Sequence, residues 1–484
     1  MAPKDFIVAI ELGSSKMTGI AGKKNLDGSI SVLAVVTEDS STFIRKGVIY
    51  NIDKTAQSIS SIVKRLTAIL KTSISQVYVG VGGQSIRSMK NVIVKNLAAD
   101  TIVTQEMVNE LMDANRNMSY QDQEILDAAT QEYKVDNQYQ MDPVGIQCTR
   151  LEGNFLNILW RKMFYRNLNK CFDLAGIPIA EMYLAPLALA DSVLTDAEKR
   201  SGCALVDLGA DTTTVSVYYK NILRHLAVIP LGSNNITKDI ASLQMEESTA
   251  EEMKLKYGSA WTDNGEIDNN MSLSIDADRS VKSREFISIV EGRIEEIIEN
   301  VWYQVPSEYA DRLLGGIILT GGGSNMKNIE TAFRNHTHID KIRIAKFVTQ
   351  SISAKDPMIA AHNGTMNTIL GLLAKGDMNC AGAEVDANGD LFKETKPAPV
   401  NPEREPRKAN ELGPGVIQTE AEKLKAEEER RRQEEEEAAR KAEEEAAEAA
   451  RKAEEEEKKK ENRKKTVGKL KNFFKNLIAE PEEE

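Results

Sequence analysis

Residues 203–218 read CALVDLGADTTTVSVY: a short apolar run, the acid Asp207, a glycine turn and a β-rich return. Residues 6–20 read FIVAIELGSSKMTGI and repeat that order, with Glu11 in the place of Asp207 and Gly13 in the place of Gly209. Apolar runs bounded by glycine turns predict β-hairpins, here with return strands over residues 17–21 and 213–219. One such hairpin is weak evidence, but two in equivalent registers predict a duplicated fold.

The chemistry of both turns suits a phosphate chain held from two sides. Gly13 and Gly209 let backbone N–H groups approach an anion closely. Hydroxyls in both turns and the Lys16 ammonium add donors and positive charge. Glu11 and Asp207, at the strand ends, are candidates to hold Mg²⁺, directly or through water.

Two further segments fit a nucleotide site less specifically. Residues 315–320 predict a buried strand that runs into Gly321, Gly322, Gly323 and Ser324, where a flat ligand or a helix start can approach closely. A plain strand–helix turn explains that pattern equally well. Residues 248–254 predict a helix start on which Glu251 and Lys254 share a face and could bond ribose hydroxyls. An ordinary surface pair is the alternative.

Composition divides the chain into a body and an appendage. Residues 1–380 have globular composition, whereas residues 381–484 are polar and strongly charged. The net charge of −12 argues against general nucleic-acid binding. Four scattered cysteines, a beginning without a long apolar core and the lack of an 18-residue apolar run indicate a reducing compartment, no signal peptide and no membrane span.

The motifs IELGSSK (10–16), VDLGADTTTVSV (206–217) and ILTGGGSNM (318–326) resemble, in this order, those of the superfamily of actin, sugar kinases and heat-shock chaperones. Within it, the chain resembles the FtsA family of cell-division proteins. That resemblance spans residues 5–376 and rests on stretches such as VYVGVGGQSI (77–86), ILDAATQEYKVDNQ (125–138) and AEEMKLKYGSA (250–260).

The resemblance implies an α/β, actin-like two-lobed ATPase fold. The first-lobe core would comprise residues 1–81 and 166–202, separated by an FtsA-type inserted α/β subdomain at 82–165. Within that insert we expect a strand at 92–97 and helices at 104–117 and 122–133. The second-lobe core would comprise residues 203–232 and 311–380, the latter returning to the first lobe, with a small subdomain at 233–310.

The resemblance also implies ATP and Mg²⁺ as cofactors. The expected nucleotide-binding residues are Gly13, Ser14, Ser15, Lys16, Asp207, Gly209, Ala210, Asp211, Thr212, Gly232, Glu251, Lys254, Gly321, Gly322, Gly323 and Ser324. The expected Mg²⁺ residues are Glu11 and Asp207. Glu11 departs from the aspartate usual in the superfamily, and its extra methylene displaces the carboxylate. No side chain stands out as a general base, so weak or no ATP hydrolysis is expected.

The appendage predicts three segments. Residues 381–419 contain several prolines and predict a disordered linker. Residues 420–465 are rich in Glu, Lys, Arg and Ala, with i,i+4 pairs such as Glu427/Arg431 and Glu448/Lys452, which predict a lone charged helix. A disordered charged tether is the alternative.

Residues 466–479 predict an amphipathic helix that lies on an anionic membrane surface. Its apolar residues fall in an arc of roughly 140°. They are Val467, Leu470, Phe473, Phe474, Leu477 and Ile478, with Lys469, Lys471 and Lys475 on the remaining face. Such helices bind membranes with the apolar side down. Docking into a protein groove is the alternative.

The resemblance implies a protein that self-associates and anchors the FtsZ ring to the cytoplasmic face of the membrane at the division site. Arg293 and Arg284 would contact the FtsZ C-terminal tail, and other divisome proteins are expected partners. The alternatives are a related actin-like scaffold for cell shape or pilus assembly, or an ATPase of the sugar-kinase or chaperone type. The membrane-binding tail argues against the latter.

Overall fold

The computed structural model describes residues 5–263, 265, 267–268, 271–384 and 412–477. It forms two compact units, Met1–Glu420 and Ala421–Glu484. The first contains every strand described below.

The strands are, in chain order, β1 (Ile7–Leu12), β2 (Lys16–Lys24), β3 (Ile30–Asp39), β4 (Ile44–Arg45), β5 (Val48–Ile49), β6 (Thr72–Ile74), β7 (Val77–Val81), β8 (Arg87–Asn96), β9 (Gln123–Val135), β10 (Gln138–Gln140), β11 (Arg150–Arg161), β12 (Ile179–Leu184), β13 (Cys203–Leu208), β14 (Thr213–Tyr219), β15 (Ile222–Ile229), β16 (Ser272–Ser274), β17 (Ser280–Lys282), β18 (Gly316–Thr320), β19 (Ile342–Ile344), β20 (Ile352–Ser353), β21 (Ala381–Glu384) and β22 (Val416–Ile417).

The α-helices are α1 (Ile52–Leu70), α2 (Gln105–Arg116), α3 (Lys162–Ala175), α4 (Ala185–Val193), α5 (Asp196–Ser201), α6 (Ser233–Ala241), α7 (Glu247–Tyr257), α8 (Ser283–Gln304), α9 (Ser307–Ala310), α10 (Ile329–Thr337), α11 (Pro357–Ala360), α12 (Asn367–Lys375) and α13 (Glu420–Leu477). A 3₁₀ turn covers Gly322–Asn325.

The first lobe is built on a seven-stranded sheet in the order β20-β3-β2-β1-β7-β12-β22. β1 is buried along residues 7–10, as its unbroken apolar run predicts for a central strand. It pairs with β2 through the register Leu12↔Met17, which confirms the first hairpin. Asn51 caps α1 by accepting a hydrogen bond from the Lys54 N–H. The buried face of that helix joins the core of this lobe.

The second sheet has nine strands in the order β10-β9-β11-β8-β15-β14-β13-β18-β19. The hairpin β13–β14 is confirmed, with Asp207 opposite Thr214 and, on the parallel strand β18, opposite Thr320. This sheet joins the inserted subdomain to the second lobe, because β8 pairs with β15 where Ala227 lies opposite Arg87. The inserted α/β subdomain therefore shares a sheet with the second lobe through one ladder position.

The inserted subdomain also corrects one element. The strand at 92–97 is confirmed within β8, and the helix at 104–117 is confirmed as α2. The helix expected at 122–133 is wrong: these residues belong to strand β9. Tyr133 and Val135 are buried at alternate positions, and this period of two places both in the core that contains Val108 and Leu111 of α2.

The expected disordered linker at 381–419 is wrong at both ends. Ala381–Glu384 pair with β6, and Val416–Ile417 pair with β12 at the edge of the first sheet. Each end finds a strand with an unpaired edge, so backbone hydrogen bonds and apolar burial stabilise it. Residues 385–411 lie outside the described residues.

The charged segment is a helix, as predicted. α13 runs as one helix from Glu420 to Leu477, which is about 87 Å at 1.5 Å per residue. The expected pair Glu448–Lys452 forms at 2.7 Å, whereas Arg431 and Arg432 pair with the following Glu435 and Glu436. The helix continues through Gly468, so the charged part and the amphipathic part are not separate elements. In the described part of the chain, no helix is long and apolar enough to cross a membrane.

Candidate nucleotide-binding cleft

The turn between β1 and β2 leaves no room for a side chain at Gly13. A Cβ there would lie 2.6 Å from the carbonyl oxygen of Lys16. Two neighbouring hydroxyls hold this turn: Ser40 Oγ donates to the Gly13 carbonyl at 2.6 Å, and Ser14 Oγ accepts from the Gly47 N–H at 2.7 Å. Ser14 is therefore buried in the support of the turn, whereas Ser15 is exposed.

The turn between β13 and β14 has the same construction. A Cβ at Gly209 would lie 2.7 Å from the carbonyl oxygen of Thr212. The Gly209 N–H donates to that same carbonyl at 2.9 Å. The similar local geometry supports the prediction that the two turns are equivalent.

The start of α6 packs directly on the second turn. The N–H groups of Ser233 and Asn234 donate to the carbonyls of Gly209 and Ala210, at 3.0 and 2.7 Å. A Cβ at Gly232 would lie 2.5 Å from the Ala210 carbonyl oxygen. Gly232 thus acts by permitting this close approach.

The turn after β18 approaches the carboxyl end of β13. Gly321 has φ +80°, and a Cβ there would lie 2.3 Å from Oδ1 of Asp207. A Cβ at Gly323 would lie 2.6 Å from Ser233 Oγ. Ser324 is fully buried and donates to the Gly321 carbonyl at 2.7 Å, so its hydroxyl supports the turn. At Gly322 the nearest side-chain atom, a Thr365 methyl, would lie 3.6 Å from a Cβ.

A contact between the two lobes was missed at the sequence level. The Lys46 N–H, in the turn between β4 and β5, donates to Asp211 Oδ2 at 3.1 Å. The other oxygen of Asp211 accepts from Asn234 Nδ2 at 2.8 Å. Lys46 and Gly47 both have positive φ, at 49° and 71°. The Lys-Gly pair was the one available signal for this turn.

Glu251 and Lys254 are brought together, as their spacing predicts, at 2.7 Å. Lys254 is buried, and its ammonium also donates to Thr237 Oγ1 at 2.9 Å and to the Ser233 carbonyl at 3.3 Å. These bonds join α7 to α6. Of the expected ribose-binding pair, only Glu251 keeps a substantially exposed side chain, at 40%.

The two carboxyls at the strand ends hold protons more tightly than usual. Burial and the nearby Asp207 raise the pKa of Glu11 to about 7, although Lys16 acts in the opposite direction. Burial raises the pKa of Asp207 to about 6. No cluster of three or more His, Cys, Asp or Glu able to hold a metal exists among the described residues. Two carboxyls fit a Mg²⁺ ion that takes its other ligands from water and phosphate.

Two family profiles match the chain. The profile described as "Cell division protein FtsA" matches residues 204–364, and "SHS2 domain inserted in FTSA" matches residues 83–159. The FtsA of Porphyromonas gingivalis is 32% identical over 67% of this chain and 69% of its own length. The FtsA of Neisseria meningitidis is 32% identical over 67% of this chain and 80% of its own length.

The chain belongs to the FtsA family of cell division proteins.

The solved PilM-PilN type IV pilus biogenesis complex aligns with a TM-score of 0.52 at 13% identity, over 77% of this chain and 98% of that one, and so bears on the fold alone. The actin-like fold with an inserted FtsA-type subdomain is confirmed. The expected insert at 82–165 contains the matched residues 83–159.

A second surface of this FtsA-family chain lies between α6 and α8. A pocket of about 290 Å³ is lined by Asp239, Ser242, Ile289, Gly292, Arg293 and Glu296. Arg293 donates to both oxygens of Asp239, at 2.5 and 3.2 Å, and pairs with Glu296. Arg284 is nine residues away on α8. At about 100° per residue, this spacing makes it project from the opposite side of the helix. The structure therefore does not bring the two expected partner-binding arginines together.

The expected membrane-binding residues from Val467 to Leu477 belong to the last turns of α13. Val467 and Leu470 are 62% and 51% exposed, and Lys469 and Lys471 are exposed as well. The side chains of Phe473, Phe474, Lys475 and Leu477, and all of Ile478, lie outside the described residues. The amphipathic face stays a prediction from sequence.

The raised pKa of Glu11 predicts a pH-dependent stability. The folded protein binds this proton more tightly than the unfolded chain, so its stability falls as the pH rises from about 4.5 towards 7. Glu11→Gln keeps the size and removes the charge. We expect it to raise the free energy of unfolding of the ligand-free protein at pH 8 by about 1–3 kcal/mol, with little change at pH 4. Urea unfolding at both pH values measures the free energy of unfolding.

Glu252→Gln, which changes an exposed carboxyl on α7, should give no such gain. Equal stability of Glu11→Gln and the parent protein at pH 8 would contradict the assignment.

Proposed function

We propose that this chain is an ATP-binding, actin-like cell-division protein that self-associates and anchors the FtsZ ring to the cytoplasmic face of the membrane. The observation that carries the ATP-binding part is the pair of matching glycine turns, at Gly13 and Gly209, together with the close approach of Gly321 to Asp207. Family membership supports the role in division.

The backbone N–H groups of the two turns would hold the phosphates of ATP, helped by Lys16 and the Ser15 and Thr212 hydroxyls. Gly321, Gly322 and Gly323 would give the adenosine part a surface free of side chains. Glu11 and Asp207 would hold Mg²⁺, in part through water. The ion would neutralise phosphate charge when bound and would favour the ionised form of both carboxyls. We assign no general base and propose slow hydrolysis at most.

Replacing Gly209 by Val should abolish ATP binding. The new side chain would meet the Thr212 carbonyl oxygen, which a Cβ alone approaches to 2.7 Å, so the turn has to open. Isothermal titration calorimetry with Mg-ATP measures the loss. Gly292→Ala, on α8 where a Cβ meets nothing within 4 Å, is the control and should bind as the parent chain does. Unchanged affinity of the Val variant would rule out this turn as the phosphate site.

Membrane attachment is proposed to occur through the end of α13. The six apolar side chains would each gain at most about 1–2 kcal/mol from partial burial in the membrane. The free-energy cost of ordering the helix offsets part of this gain. Each lysine near anionic lipid adds roughly 1 kcal/mol. One copy should bind reversibly, whereas several copies in a polymer gain affinity from their high effective concentration. The protein would then be peripheral and concentrated where it assembles.

The double variant Phe473→Glu and Phe474→Glu should no longer float with anionic vesicles, because it places two charges on the apolar face. ATP binding should be intact. Asn472→Glu with Asn476→Glu adds the same charge to the polar face and is the matched control, which should keep most of its binding. If the phenylalanine variant still floats, a protein groove replaces the membrane as the target of this helix.

The FtsZ C-terminal tail is proposed to bind at the pocket between α6 and α8. Arg293 is 23% exposed there and lies beside the carboxylates of Asp239 and Glu296, so a peptide of mixed charge could replace either ion pair. Ile289 and Gly292 offer apolar contact. Arg284 projects from the opposite side of α8, so we assign only Arg293 to this site.

Arg293→Glu should weaken binding of an FtsZ tail peptide by at least about tenfold, as expected for loss of a partly buried charge contact. Fluorescence anisotropy with the labelled peptide measures it. Arg284→Glu makes the same charge change on the opposite side of α8 and should have little effect on peptide binding. Thermal unfolding of both variants checks that α8 is intact. Peptide binding that survives the Arg293 change in a folded protein would remove this site.

A further inference from the structure

Residues 412–420 form a short bound segment on the surface of the first lobe. The Val416 N–H donates to the Gly413 carbonyl at 3.1 Å, and Gly415 has φ +79°. Pro414 and Gly415 therefore occupy the central positions of a type II turn, which the two residue types favour. Val416 and Ile417 follow as β22 and are 8% and 2% exposed. A proline-rich segment thus ends in a turn and a buried apolar pair.

The surface that receives this segment consists of three elements. β12 supplies an edge, where Met182 and Tyr183 lie opposite Ile417 and Val416, and the Leu184 N–H donates to the Gly415 carbonyl at 2.8 Å. β9 supplies Asp127, whose carboxylate accepts from the Gly415 N–H at 2.8 Å.

α3 supplies the third set of contacts. Tyr165 Oη donates to the Gln418 carbonyl at 2.6 Å, and Asn169 Oδ1 accepts from the Glu420 N–H at 3.2 Å. Asn169 thus satisfies one of the free N–H groups at the start of α13. Backbone, side-chain and apolar contacts converge on one short segment, as in recognition of a peptide by strand addition.

We propose that residues 412–420 are a docking motif, and that the groove formed by β12, Asp127 and α3 is its receptor within the same chain. The motif fixes the chain at the start of α13. It also ties the inserted subdomain, through Asp127 of β9, to the edge of the first-lobe sheet.

Hydrogen exchange of the full-length protein tests the docking. The double variant Val416→Asp with Ile417→Asp removes the apolar contacts, and we expect the Leu184 amide to exchange at least about tenfold faster. Val416→Ile with Ile417→Val keeps total volume and should exchange as the parent chain does. A synthetic peptide of residues 411–421, added to the Asp variant, should restore protection, whereas a scrambled peptide should not.

Asp127 gives a second pair of variants. Asp127→Leu removes the acceptor for the Gly415 N–H and should release the motif, whereas Asp127→Asn keeps a carbonyl acceptor and should retain it. Equal exchange of Leu184 in these two variants would overturn the role of Asp127. If the double Asp variant loses protection throughout β1 and β13, it is unfolded, and the Asp127 pair decides.

Three results separate the remaining possibilities. Protection of Leu184 that survives the Val416/Ile417 change in a folded protein would overturn the proposal. Protection that falls on dilution would mean that the motif comes from a second copy, and would overturn docking within one chain. Faster exchange confined to the docking surface, independent of concentration, supports it.

Discussion

The cleft depends on the close approach of backbone to one carboxylate. Asp207 ends β13, and the chain after β18 passes so near that a Cβ at Gly321 would lie 2.3 Å from its Oδ1. Similar distances occur at Gly209 and Gly232, where a Cβ would meet backbone oxygens. These glycines let a hairpin turn, a helix start and a strand end meet at one point. The same crowding partly buries Asp207, and this burial raises its pKa.

Much of this arrangement was predictable because it depends on local sequence patterns. Unbroken apolar runs mark central strands, and an acid followed by glycine marks the turn, so both hairpins and β18 follow from short stretches. The helix wrongly expected at 122–133 shows where this fails: Ala, Glu and Gln favour a helix, but Tyr133 and Val135 are buried on alternate positions of β9. Packing between β11 and the rest of the insert overrides helix propensity there.

The site residues divide in the same way. Glycines were predictable, because a backbone conformation or a close approach requires that residue type. Polar side chains were less so: Ser14, Ser324 and Lys254 have hydroxyl or ammonium groups suited to a ligand, yet each bonds to its own protein. Their partners, such as Gly47 and Thr237, lie on other elements, and spacing along one element cannot identify them. Spacing does show that Arg284 and Arg293 project from opposite sides of α8.

The contacts that join the parts of the body share a further property. β8 meets β15 at one ladder position, Lys46 meets Asp211 through one hydrogen bond, and Gly415 meets Asp127 through another. Each joins segments far apart in sequence through very few residues, so no apolar run or hydrophobic period predicts it. Each also crosses a boundary that composition and resemblance would draw between domains. The sequence therefore describes the separate elements of this protein better than the junctions between them. Any movement of the inserted subdomain or of residues 412–420 against the lobes must therefore alter these junctions.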